Sequence, residues 1–203
     1  LFCDYPSLGV DANALTIGCN MYSGTSFQHS TVYVVRKASL LSGGPMVVTP
    51  FVNVTGGISA GPWSPRGVDN DDPQATESYF IGVDIGLLGP LALRRVTDPG
   101  GTPSLSGNIF LTVPATSLPL LQPAQSSTVG LDPLDDRLFA AAIHANRITG
   151  VKSLWTATQG AVGTAWGAEH GGNGRGDRAR WTEGGDLQAA APTVLQAGDA
   201  WGL

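Results

Sequence analysis

Charge is scarce in this chain. Of 203 residues 13% are charged, and 11 basic against 16 acidic side chains leave a net charge of -5. A protein that grips a phosphate backbone needs a basic patch, and a pI near 4.9 offers none, so nucleic acid is not an expected partner. Long apolar runs are missing too. No stretch approaches the roughly 20 residues of a membrane-spanning helix, and the best candidates are broken by Gly, Pro or Arg. The three histidines, His29, His144 and His170, lie far apart without HExxH or any other ligand spacing, which leaves zinc unsupported. Neither a GxxxxGK[ST] loop nor a strand-borne GxGxxG is present, and Gly171-Gly172-Asn173-Gly174 precedes no phosphate-binding helix, so no nucleotide cofactor is expected. The chain starts at Leu1 with no basic or leader-like segment and ends at Leu203 without a closing strand, which reads as a processed protein or a fragment.

Cysteine is limited to Cys3 and Cys19. A hairpin turn centred on Asp11 sets Cys3 opposite Cys19, whereas one centred between Ala12 and Asn13 sets it opposite Tyr22, too far for a bridge. A disulfide in an oxidising compartment and two small buried thiols therefore both remain open. Only two lysines, Lys37 and Lys152, and abundant Ser, Thr and Gly agree with an exported bacterial protein.

Gly (28) and Pro (14) are plentiful, yet a 42% hydrophobic content is enough to fold the chain, so they read as turn punctuation. A polar or Pro-marked turn leads into a short apolar run three times, from Asp4-Tyr5-Pro6, from Ser64-Pro65-Arg66 and from Asp132-Pro133. This recurrence, at roughly sixty to seventy residues, is the signature of stacked antiparallel sheet modules. In the first module Ser7–Val10, Ala14–Asn20 and the β-branched Thr31–Arg36 read as strands, followed by an outer strand that Pro50 confines to an edge or a break. Trp63–Val68, Glu77–Asp84, Leu91–Val96 and Asn108–Pro114 repeat the scheme. The third module poses a conflict. Asp135–His144 has the alanines and spacing of a short helix, but it occupies the place of Pro65–Val68 in the preceding module, which favours a strand. Ser153–Ala157 and Ala179–Glu183 then continue the sheet, separated by a Gly-rich loop.

The segment Tyr5–Asn13, the Asp98–Pro103 turn, Leu131–Leu138 and Arg180-Trp181 resemble large exported bacterial β-propeller proteins described only as hypothetical secreted proteins. The resemblance covers most of the chain and departs from it at the unusually Gly-rich 171–177. It implies an all-β propeller of which 1–203 would supply about three blades, incomplete at both ends, with a β-sandwich as the alternative. No activity accompanies it.

Candidate chemistry is sparse. Gly57-Ile58-Ser59-Ala60-Gly61 matches the GxSxG elbow of hydrolases, but Pro62 and Pro65 argue against the helix that should follow Ser59. Asp69, Asn70, Asp71 and Asp72 group hard oxygen ligands as calcium requires, without the glycine and distal Glu of an EF-hand loop; a solvated hairpin tip is the plainer reading. Asp132, Asp135 and Asp136 beside Arg137 read as a local ion pair before a metal site or an acid–base pair. In a propeller these acidic groups would stand where blade loops meet the central channel. That makes Asp69, Asp71, Asp132, Asp136 and Arg137 the expected ligand-binding residues, Asp69, Asp71 and Asp72 the expected cation ligands if calcium binds, and no other cofactor is expected. Asn53-Val54-Thr55 is a glycosylation sequon, and Arg175-Gly176-Asp177 an adhesive-type tripeptide. The expected function is a non-catalytic binding or scaffolding module, secreted or at the cell surface, taking a carbohydrate or protein ligand and packing against the remaining blades. The alternative is a secreted hydrolase of glycans or esters, which needs at least two of Asp69, Asp71, Asp132, Asp136 and His144 in one pocket, or Ser59 within reach of His144.

Overall fold

A computed structural model describes residues 1–55, 60–84, 90–111, 126, 128–130 and 135–145, together with the backbone of strands at 152–157 and 193–196. Alternating and β-branched segments become strands in chain order: β1 (Phe2–Val10), β2 (Ala14–Ser23), β3 (Ser26–Arg36), a one-turn helix α1 (Lys37–Leu41), β4 (Val48–Phe51), β5 (Pro62–Gly67) and β6 (Asp69–Asn70). Then follow β7 (Glu77–Asp84), β8 (Leu91–Thr97), β9 (Ser104–Leu105), β10 (Ile109–Leu111), β11 (Ala140–Ala145), β12 (Lys152–Ala157) and β13 (Thr193–Gln196). The protein is all-β apart from α1, the only helix among the described residues.

The strands form three sheets. The first is a plain meander, β1-β2-β3-β4; the second runs β10-β8-β7-β5 with β9 beside β8; the third runs β13-β12-β11-β6. Neighbours are antiparallel except β6 and β11, which pair in parallel at Asp69↔Ala142 and Asn70↔Ile143. Asp135–His144 resolves in favour of the strand: the alanine-rich Ala140–Ala145 pairs with β12 from Ala140↔Ala157 to Ala145↔Lys152. Pro50 does sit on an edge strand, opposite Tyr33 of β3. The strands are closed into no barrel or ring among the described residues.

The second sheet is the middle layer. Alternation along β7 and β8 sends Tyr79, Ile81, Val83, Leu91 and Leu93 to one face, where they meet Leu138 and Ala141 next to the third sheet. Phe80 and Val96 point the other way, onto Ala14, Val32, Val34 and Val54 of the first module. A strand covered on both sides has no use for polar alternation, hence the run Tyr79-Phe80-Ile81-Gly82-Val83, buried throughout. At about 25 cal/mol per Å² of apolar area removed from water, fully burying a side chain such as Phe80 or Ile81 contributes roughly 1.5–3 kcal/mol.

Cys3 and Cys19 form a disulfide with Cα atoms 5.3 Å apart. The hairpin is centred between Ala12 and Asn13, as Val10↔Leu15 and Ser7↔Gly18 show, but a bulge between Asp4 and Ser7 shifts the register so that Cys3 faces Met21. Cys19, two residues from Met21, then shares a face with Cys3 and is drawn within bonding distance by the bulge.

Candidate functional site

The first strand of each module lies beside the first strand of the next. Ser7 Oγ on β1 donates to the Pro65 carbonyl on β5 (2.6 Å) and accepts from Gly67 N (3.2 Å), while Val10 N donates to Asp69 Oδ1 (2.9 Å). These contacts advance together along both strands, so β1 and β5 run in the same direction. Their backbones nearly touch: a Cβ added at Gly9 would stand 2.3 Å from the Gly67 carbonyl carbon, and one at Gly18 1.9 Å from the Pro65 oxygen. Asn20, fully buried, ties the crossing together, accepting from Ser64 N (2.9 Å) and Ser30 Oγ (3.0 Å) and donating to Ser64 Oγ (2.8 Å). From β5 to β11 the relation repeats, through Arg66 Nε to the Leu138 carbonyl (2.6 Å) and the parallel β6–β11 pairing.

Tyr5-Pro6 and Ser64-Pro65, read from sequence as turns ahead of strands, are instead bulges inside β1 and β5, with Tyr5 at φ 52° and Ser64 at φ 49°. Proline has no N–H for the ladder, and at Pro6 and Pro65 the chain accommodates this with a bulge. The bulge re-aims Tyr5 out of the sheet.

Past the ends of β1 and β5 an open cleft of about 540 Å³ is lined by Asp11, Lys37, Asp69, Asn70, Asp71 and Asp72 together with Val10, Ala12 and Pro73. Most of its polar groups are already occupied. Asp11, 2% exposed, accepts from Asn13 N (2.7 Å) and Ala14 N (2.9 Å) with one oxygen and from the Ser78 hydroxyl with the other. Lys37 Nζ donates to the Asp11 carbonyl (2.8 Å). Asp69 holds Val10 N, Asn70 Oδ1 holds Asp72 N (3.1 Å), and Asp72 Oδ1 holds Gln74 N (2.9 Å). Asp71 alone of these is exposed with no hydrogen bond or ion pair among the described residues. Asp69 belongs to a strand and only Asp71 onward forms the tip, so the acidic turn begins two residues later than its composition indicates. Among the described residues no three His, Cys, Asp or Glu side chains converge as a metal site.

On the Tyr5 side of the same strands stands a second cluster. The guanidinium carbons of Arg66 and Arg137 each lie 4.4 Å from the centroid of the Tyr5 ring, and Arg137 also lies 4.5 Å from the Trp63 ring. Arg137 makes the local ion pair expected of it, with Nε to Asp135 Oδ1 and Nη2 to Oδ2 both at 2.8 Å. That hydrogen bonding raises the Arg137 pKa, whereas burial lowers that of Arg66. Asp136 is 5% exposed. His144 lies exposed on β11, opposite Ser153. Ser59, Asp132, His170, Gly171–Gly174 and Arg175-Gly176-Asp177 lie outside the described residues. His29 is engaged with Thr31 Oγ1 (3.0 Å), and Thr55 of the sequon is buried and accepts from Ser30 N (3.1 Å).

Asp69, Asp71 and Asp72 are thus brought to one cleft, with Asp11 and Lys37 added to it, while Arg137 and Asp135 belong to the other cluster. Sequence reasoning missed Asp11, although Gly-Val-Asp occurs at 9–11, 67–69 and 82–84 and marks equivalent places in two adjacent strands. Tyr5, Trp63 and Arg66 carried no local signal, because what makes them a group is contact across 61 and more residues. No protein-family model matches this chain, and no curated protein or solved structure is significantly similar to it.

Proposed function

We propose that this chain is part of an exported bacterial β-propeller that serves as a binding or scaffolding module, with a carbohydrate taken up in the cleft at the ends of β1 and β5. The observation that carries the reading is the cleft itself: an open hollow where first strands of successive modules end, with the Asp71 carboxylate free to accept hydrogen bonds from hydroxyl groups. Support for propeller blades comes from three mainly antiparallel sheets of four, five and four strands in succession, the parallel course of neighbouring first strands, and a middle sheet covered on both faces. The Cys3–Cys19 bridge supports an oxidising, extracytoplasmic setting.

The test is a glycan-array screen of the chain followed by calorimetry on the best hit with Asp71→Ala. Asp71 supports no other residue, so the variant is expected to keep its melting temperature while losing about tenfold in affinity, or about 1.4 kcal/mol. A hit bound equally well by Asp71→Ala, or no hit on the array, sinks the reading.

A further inference from the structure

Exposed apolar side chains gather where the first sheet passes from β3 to β4. Leu41 is 79% exposed and Met46 61%, and Leu40, Val47 and Val48 stand out of the fold with them. One local network holds these residues together. Ser39, the buried residue of α1, donates its hydroxyl to the Arg36 carbonyl (2.7 Å) and accepts from Val47 N (3.0 Å), while Arg36 N donates to the Val47 carbonyl (2.9 Å). Ser42 N and Gly43 N close the helix onto the Ala38 and Leu40 carbonyls (3.1 and 3.3 Å), and Val48 begins β4 opposite Val35. Residues 37–48 therefore form a protrusion braced from inside, with its aliphatic side chains outside.

The chemistry of the protrusion selects what covers it. No charged side chain occurs between Lys37 and Arg66. The two cations that lead into it are tied to the fold, Arg36 to the Gly101 carbonyl and Lys37 to the Asp11 carbonyl. Leu40, Leu41, Met46, Val47 and Val48 include none of the Trp, Tyr or Arg anchors on which protein interfaces depend. Their exposed area also falls well short of the about 800 Å² per partner that a stable protein complex buries. A bilayer makes neither demand. It takes aliphatic groups without shape complementarity and penalises unsatisfied backbone groups, and the N–H groups of Ser42, Gly43 and Val47 are already bonded within the protrusion.

We infer that the 37–48 protrusion docks this chain onto a lipid bilayer, with Leu40, Leu41 and Met46 entering the boundary between headgroups and acyl chains. Insertion of this kind is shallow, about 5–10 Å. The surface it fits is zwitterionic: the chain carries a net charge of -5, and Asp69, Asp71 and Asp72 line the cleft that Lys37 shares, so an anionic surface would repel the same end of the molecule. None of the inserted side chains lines that cleft, and the inference stands apart from the carbohydrate reading.

The experiment is flotation of the full chain, at low micromolar concentration, with phosphatidylcholine vesicles and with vesicles that also contain phosphatidylglycerol. The chain is expected to float with the neutral vesicles at low and high salt alike, to bind the anionic ones no more tightly, and to lose about tenfold or more in partitioning in Leu41→Asp with Met46→Asp. Both side chains are exposed, so the double variant should keep its melting temperature. Insertion is read without added charge as well. Cys3 and Cys19 are bridged, which makes the thiol of Leu41→Cys the single site for an environment-sensitive dye. Its emission should shift to the blue on vesicles, whereas the same dye on Thr25→Cys, in the β2–β3 turn at the far end of β3 and roughly 35 Å of strand away, should not respond. No flotation with neutral vesicles, flotation undiminished in the double variant, a dye at position 41 that stays in water, or a preference for the anionic vesicles would each overturn the inference. So would a double variant that alters only self-association, which would assign the surface to a second copy of the chain.

Discussion

At the scale of single residues, this protein depends on side chains that are absent or very small. β5 crosses the first sheet at Gly9, Gly18, Gly67 and Ser7, and the space there is set by backbone meeting backbone. Gly18 faces the Pro65 carbonyl so closely that a methyl group would have to push β5 away, and with it the Ser7 and Asn20 hydrogen bonds that depend on its position. Overpacking of this kind typically costs about 1–3 kcal/mol, and the rigid backbone on the other side argues for the upper part of that range. Gly18→Ala should therefore lower the urea midpoint clearly. Gly107→Ala, where an added Cβ meets nothing within 4 Å, should stay within about 0.5 kcal/mol of the parent. Equal effects of the two substitutions would show that the crossing is looser than these contacts imply. Asn20 belongs to the same logic from the polar side: with both ends of its amide satisfied inside the crossing, it makes a fully buried polar residue tolerable there.

At the scale of elements, the bulges decide what the strands can do. Without the Tyr5-Pro6 bulge the hairpin register would place Cys3 across from Tyr22, and no bridge could close; with it, the bridge clamps β1 to β2 across 16 residues of chain. A loop of that length corresponds to about 3 kcal/mol in the chain-entropy account, within the usual 2–4 kcal/mol. The double variant Cys3→Ser, Cys19→Ser is expected to lose stability by that amount in urea titration under oxidising conditions, and the parent under reducing conditions should fall to match it. The same bulges mark the limit of what the sequence discloses. Strands rich in β-branched residues, such as Thr31–Arg36, and the three-module recurrence were legible because each rests on local pattern. Asp135–His144 was legible only by comparison with the preceding module, since its alanines favour a helix that the pairing of β11 with β12 and β6 overrides. The Pro-marked segments were misread as turns because proline signals a broken ladder and does not say whether the chain turns or bulges. Of the acidic cleft, Asp69, Asp71 and Asp72 were visible as a local cluster, whereas Asp11 and Lys37 arrive from another module. The Tyr5, Trp63, Arg66 and Arg137 cluster was invisible, being made by β1, β5 and the segment ahead of β11 brought together.

At the scale of the whole molecule, cover is unequal. The second sheet is packed on both faces, and β4 closes one edge of the first sheet with a proline, a residue that discourages further pairing. On β1, at the other edge, Phe2 is 66% exposed and Leu8 58%, with Val10 beside them at 37%. The register sends Leu8 and Val10 to the face opposite Ser7 and Gly9, which are committed to β5, and places Phe2, on the far side of the bulge, on the Ser7 side near the start of the strand. Exposed apolar groups along a strand edge with open backbone groups are a template for association. The isolated chain is accordingly expected to self-associate as its concentration rises from micromolar to hundreds of micromolar, measured by light scattering after size exclusion. Phe2→Lys with Leu8→Lys should restore the monomer, because two positive charges oppose both apolar contact and edge pairing. Neither side chain belongs to a buried cluster of the described residues, so thermal stability should hardly change. A parent chain that stays monomeric throughout that range would mean that the β1 edge is already protected, and would remove the support that an uncovered first strand lends to a neighbouring blade.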